Sequence, residues 1–319
     1  EVDSDETVYE FDDENQVIPD IDLEEENVLD DSDKIIKISG DAYNTCAING
    51  KGVVFCWGNN EMGGLGKGNV AGSSVPVKVY TEGVMKNKKI KDVTTGFDFS
   101  CSLDIDGKAY CWGDNRGGQL GNGTITDHRM IPSEVGTSGI LKDKVFISIS
   151  AGGYNACAID KERKIYCWGS AGLLGSNESE DQSVHESEVD MTGVLKGKIV
   201  KSVSTGGLHT CVLDIEGKIF CWGKGNFGQL GNNTLTTISH IPVEVDMSGN
   251  LENIRFSQIN SGYEHTCAIT EAGKEIYCWG RNYDGQLGDG TVDYKIRPEK
   301  VKFGNLDDDV IFKAVSASV

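Results

Sequence analysis

Ten cysteines stand along the 319-residue chain in five pairs: Cys46 with Cys56, Cys101 with Cys111, Cys157 with Cys167, Cys211 with Cys221, and Cys267 with Cys278. Thiols spaced in this way can do three kinds of chemistry: they can close disulfides, hold zinc as thiolates, or shuttle electrons as a dithiol. Zinc sites favour two-residue spacers or histidine partners, and this chain has five scattered histidines. A redox enzyme would use one special pair rather than five equivalent ones. Structural cross-links are therefore the preferred reading, with buried free thiols and a metal site as the alternatives.

No other residues gather into a catalytic set. There is no nucleophile with its base, no phosphate-binding loop and no acid pair, so the chain reads as a non-enzyme without metal or cofactor. The turn from Asp104 to Gly107 (DIDG) has a faint likeness to a calcium loop but lacks the rest of a 12-residue ligand set. His209 and His265 each precede a Thr-Cys pair and read as hydrogen-bonding core residues. Trp57, Trp112, Trp168, Trp222 and Trp279 follow the second cysteine of each pair, and recurrence at one position suits packing between units better than a ligand rim.

The elements that position these residues repeat. Cys-Trp-Gly recurs at Cys56, Cys111, Cys167, Cys221 and Cys278, and every cysteine and tryptophan belongs to that pattern. Between the two cysteines of each pair lies a polar turn, such as NGKG or DIEGK, flanked by short apolar runs. Asn-Gly and Asp-Gly pairs in such a setting mark a β-hairpin. Glycine-rich loops follow, and then a short run that carries Pro76, Pro132, Pro242 or Pro298; the third repeat lacks this proline. Four short strands per repeat predict an all-β propeller of four-stranded blades. Facing residues of antiparallel strands lie about 4.5–5.5 Å apart, which suits a disulfide, so each pair is expected to close on itself. Closing an 11-residue loop is worth roughly 2.8 kcal/mol in the chain-entropy description.

Charge is uneven. Of 50 acidic residues, 16 lie in residues 1–33, which hold no Lys or Arg, so a net charge of −20 leaves residues 34–319 near neutrality. Residues 1–33 are read as an acidic N-terminal arm and residues 34–319 as the propeller body. The arm has the composition of a solvated segment, yet it carries a degenerate half-repeat. Thr7 to Asn15 resembles the third strand of a blade, and the run around Pro19 resembles the fourth. At the other end, Val310 to Ser318 matches the opening strand of a sixth repeat. Six blades closed by the two ends are expected; an open piece of a longer array and a seven-bladed ring are the alternatives. No stretch approaches the roughly 20 apolar residues of a membrane helix. No basic stripe suits nucleic acid. The chain begins at Glu1, which fits a removed leader or a part of a longer protein.

The runs from Gly206 to Gly231 and from Gly262 to Gly288, with their HTC, CWG and GQLG segments, resemble the regulator of chromosome condensation repeat family. The resemblance spans nearly the whole chain and implies a propeller that serves as a binding platform. Family members usually have seven blades, exchange nucleotide on a small GTPase, sense ultraviolet light through tryptophans, or bind proteins. Light sensing is not expected here, because the corresponding positions read Phe97, Gly153 and Gly207 rather than tryptophan. Nucleotide exchange inside the cell would require free thiols and is the weakest alternative. Persistent disulfides point to an extracellular, cell-surface or secretory-lumen setting. Asn122, Asn177 and Asn232 open glycosylation triplets on expected loops. The function expected is a non-enzymatic scaffold or protein-interaction module within an assembly, bound to a protein partner or to itself, with the arm 1–33 as a possible contact. The alternative is a secreted binder or inhibitor acting through loops on one propeller face.

Overall fold

A computed structural model describes residues 34–125, 128–170, 172–176, 186–304 and 310–317. These residues form five four-stranded antiparallel sheets, each a simple meander. Blade one comprises β1 (Ile35–Gly40), β2 (Asn44–Asn49), β3 (Val54–Gly58) and β4 (Ser73–Lys78). Blade two holds β5 (Ile90–Thr95), β6 (Phe99–Asp104), β7 (Ala109–Asp114) and β8 (His128–Glu134). Blade three holds β9 (Phe146–Ala151), β10 (Asn155–Asp160), β11 (Ile165–Gly169) and the short β12 (Glu186–Glu188). Blade four holds β13 (Val200–Thr205), β14 (His209–Asp214), β15 (Ile219–Gly225) and β16 (Thr236–Glu244). Blade five holds β17 (Phe256–Ser261), β18 (His265–Thr270), β19 (Ile276–Gly280) and β20 (Lys295–Lys300).

Local chemistry explains each hairpin. The turn between the second and third strands is pinned by the side chain that opens it. Asn49 Oδ1 accepts the backbone N–H of Val53 at 2.9 Å, and Asp104 and Asp214 Oδ1 accept those of Lys108 and Lys218 at 2.8 Å. Gly107 and Gly217 supply the positive φ at those turns, and in blade three Arg163 takes φ 67° in the same place. The DIDG segment is thus a hairpin turn. The central strands β6, β10, β14 and β18 are buried along their whole length, because their blades are covered on both faces. Their polar residues are buried with the apolar ones and bond across blade boundaries, as Ser100, Thr210 and Thr266 do. The proline-bearing runs become the fourth, outermost strands, where a missing N–H leaves no ladder partner unsatisfied.

Neighbouring blades lock together through one repeated device. Trp112 Nε1 donates to the Gly64 carbonyl of blade one at 2.9 Å, and Ser100 Oγ and Asn44 Nδ2 donate to the same oxygen. Trp168, Trp222 and Trp279 likewise donate to the carbonyls of Gln119, Leu173 and Gln229, each on the preceding blade. These four tryptophans are fully buried, as packing between blades requires. Around the axis, the innermost strands are joined hydroxyl to backbone. Thr95 N–H donates to Ser39 Oγ, Ala151 N–H to Thr94 Oγ1, Thr205 N–H to Ser150 Oγ and Ser261 N–H to Ser204 Oγ.

The expectation of six blades is corrected: among the described residues there are five sheets, and residues 310–317 pair in none of them. Those residues nevertheless occupy the place of a next inner strand. Phe312 N–H donates to the Gly273 carbonyl, as Phe256 N–H does to Gly217, and Ala317 N–H donates to Asn260 Oδ1 at 2.6 Å. Phe312 and Val315 pack on the blade-five hairpin where Ile90 and Val93 pack on that of blade one. Side chains and isolated bonds, rather than a ladder, hold this run against blade five. Blade one differs from the others at its innermost strand. Ile38 is 63% exposed, whereas its counterparts Val93, Ile149 and Val203 are buried. The acidic arm 1–33 with its half-repeat, and Asn177, lie outside the described residues.

Candidate functional site

The ten cysteines sit where the hairpins bring them. Cys46 faces Cys56 across β2 and β3, and the same register joins Cys101 to Cys111, Cys157 to Cys167, Cys211 to Cys221 and Cys267 to Cys278. All five pairs are disulfides, and among the described residues no cysteine is free. All ten sulfurs lie in the blade cores, shielded from a substrate. Their arrangement can stiffen a hairpin; it cannot present a thiolate to solvent.

His209 is fully buried, and its Nε2 bonds Thr266 Oγ1 of the next blade at 2.7 Å. Burial, reinforced by the nearby His265, lowers its pKa to about 3, so it is neutral at physiological pH. His265 is shifted in the same direction by burial. Both are core residues, as their sequence position suggests. Asn122 is also buried. Its Oδ1 accepts from Thr124 N–H and Oγ1, and its Nδ2 reaches Ser133 Oγ at 3.4 Å, so this triplet builds its own loop. Asn232 is more open, and its Oδ1 accepts from Thr234 Oγ1 at 2.9 Å.

One end of the molecule is chemically distinct. The turns between first and second strands and the glycine-rich loops between third and fourth strands lie at the same end of every blade. At the centre of that end four aromatic rings meet. Phe97 of blade two stacks on Tyr263 of blade five at 5.5 Å between centroids. It also meets Tyr154 of blade three edge-on at 5.6 Å and Tyr43 of blade one at 6.1 Å. Tyr263 and Asp41 also line a central cavity of about 740 Å³, whose wall is otherwise built from the five innermost strands and residues 314–317. The rings therefore crowd one mouth of the channel. Further out on the same face, Arg281 lies over Tyr283, bonds Glu264 Oε2 at 3.2 Å, and neighbours the Phe227–Tyr283 pair.

This mouth is acidic. Burial pushes the Asp41 carboxyl up to about 6, against the Ala42 N–H that it accepts. Asp98 is raised by burial first and then by Asp114 and Glu61, with Arg116 opposing. Arg116 itself is held by both oxygens of Asp114. Asp41, Glu61 and Asp98 have no ion-pair partner among the described residues. The sequence did contain a signal for the cluster: an aromatic residue stands three or four positions before the first cysteine in four of five repeats. Because it shifts between two positions, it escapes an alignment of the repeats.

The geometry agrees with comparisons to known proteins. The profile described as the RCC1-like domain matches residues 4–319. The ultraviolet-B receptor UVR8 of Arabidopsis thaliana is 33% identical over 256 residues, covering 79% of this chain and 54% of the receptor. The probable E3 ubiquitin-protein ligase HERC6 of Homo sapiens is 28% identical over 83% of this chain and 25% of the ligase. The chain thus spans about half, or less, of the length of these relatives. Among solved structures, human WBSCR16 superposes with a TM-score of 0.76 at 23% identity, covering 90% of this chain and 70% of that one. Prp20p of Saccharomyces cerevisiae, whose structure is described with its binding to Gsp1p and histones, gives 0.55 at 18% identity over 85% and 77%.

Proposed function

The chain belongs to the RCC1-like domain family, and from that premise we propose that it is a non-enzymatic protein-docking module. Its partner is held on the face that carries the channel mouth, and it works in an extracellular, cell-surface or secretory-lumen setting. One observation carries the reading: four blades converge on the aromatic cluster of Tyr43, Phe97, Tyr154 and Tyr263, with Tyr43 and Tyr154 open to solvent. Tyrosine and arginine side chains are common anchors of protein interfaces, and tyrosine buries much area at little entropic cost. Relatives in the family are described as a receptor, as ligases and as a binder of Gsp1p and histones, which supports a role in protein interaction. The compartment is supported by the five buried disulfides, which suit an oxidising environment. The arm 1–33 is a second candidate contact for a partner or for self-assembly, supported by its charge alone.

Site-specific photo-crosslinking tests the docking face. A photoreactive phenylalanine at Tyr43 or Tyr154 is expected to capture a discrete partner from the native source. The same group at Ile105 or Ile215, which are exposed on hairpin turns at the opposite end, is not. Equal capture from both ends, or capture from the hairpin end alone, contradicts the proposal.

A further inference from the structure

We infer that the channel mouth recognises an arginine side chain of its protein partner, between the rings of Tyr43, Phe97 and Tyr154 and the carboxylates of Asp41, Glu61 and Asp98. The inference rests on the docking reading and names the chemistry of the contact. Three features of the mouth point to a cation. Aromatic faces carry negative potential, and Tyr43 and Tyr154 are 55% and 41% exposed beside Phe97, leaving ring surface open to a ligand. The carboxylates gather around these rings: Asp41 lines the channel two residues before Tyr43, Asp98 follows Phe97 and its carbonyl accepts the Asp114 N–H, and Glu61 stands two residues after Asn59, whose N–H bonds the Tyr43 carbonyl. Finally, the two arginines nearby are already engaged. Arg116 is bidentate on Asp114, and Arg281 is shared between Glu264 and Asp284. None of the five turns at the mouth carries a Lys or Arg between its first and second strands.

A cation placed here relieves carboxylate repulsion and gains attraction from the rings at once. Guanidinium suits the site better than ammonium. It is planar, so it can lie on a tyrosine ring while its N–H groups reach a carboxylate, and it is more weakly hydrated. Asp98 is well placed for this. It adopts φ 56°, a left-handed conformation that aspartate tolerates, and follows Phe97 directly. The matching partner is a protein surface with a protruding arginine, and the contact should weaken as salt screens it.

The test is calorimetric titration of the chain with an acetylated, amidated tetra-arginine peptide at low and physiological salt, with a tetra-glutamate peptide as control. Saturable binding of tetra-arginine alone is expected. Y43A, E61Q and D98N should each weaken it about fivefold or more, while Y43F should keep the ring and the affinity. Because Tyr43 and Glu61 are exposed, these variants leave the core intact. D106N, on the opposite end, should change nothing. No binding of tetra-arginine, or equal losses for D106N and D98N, overturns the inference. The two readings fail separately: cross-links from Tyr43 and Tyr154 to a partner segment without arginine would preserve docking and overturn the arginine inference, whereas capture from the hairpin end alone would overturn docking.

Discussion

At the residue scale, the same position can be filled by different side chains that do one job. Asn44 bonds Ser100 Oγ, Asn155 bonds Thr210 Oγ1 and His209 bonds Thr266 Oγ1, each across a blade boundary. Only the histidine titrates, and its burial has a pH consequence. The folded pKa is about 3, against an ordinary value near 6.5, so on acidification the unfolded chain takes up the proton first. His209 therefore supports the fold fully above about pH 6.5. Its contribution declines toward pH 3 at up to about 1.4 kcal/mol per pH unit. H209N keeps an amide donor like that of Asn44 and cannot titrate, so its stability should fall less steeply between pH 6 and pH 4. Denaturant unfolding at several pH values checks this. An acid limb identical to that of the parent chain would mean that His209 is not buried neutral.

At the element scale, the blade is a hairpin held by a disulfide and clamped to its neighbour by a tryptophan. Gly121 has φ 59°, and a Cβ there would lie 2.8 Å from the Trp168 ring, whereas Gly288 has nearly the same φ and meets only Val301, at 3.0 Å. G121A should thus cost about 1 kcal/mol or more and exceed the cost of G288A, with the difference reporting the clamp. Equal costs in denaturant unfolding would show that the tryptophan exerts no such constraint. The hairpins and their cysteine pairing were legible in the sequence because Asp, Asn and Gly in the turn fix the register locally. The end of the propeller was not. The run from Val310 resembles an opening strand and takes that strand's bonds to blade five, yet among the described residues it pairs in no sheet. The aromatic mouth was equally hidden, since Phe97 and Tyr263 on one side and Tyr43 and Tyr154 on the other come from different columns of the repeat.

At the scale of the whole molecule, buried interfaces repeat from blade to blade and each sheet carries its own staple. The result is a stiff ring segment that presents its loops without rearrangement. Such a frame lowers the entropy lost when a partner binds, which is how a modest patch of aromatic and charged groups can hold a protein. Five cross-links worth even half of roughly 2.8 kcal/mol each would rival the stability of an ordinary domain. That stiffness, and the oxidising compartment proposed above, both require that the cysteines be oxidised in the native protein. The most direct measurement is peptide mapping of native material alkylated without reductant. The account predicts five linked peptides, one per hairpin, joining Cys46 to Cys56 and so on through Cys267 to Cys278, with no alkylated cysteine among the ten. Ten alkylated cysteines, or links between different blades, would contradict it.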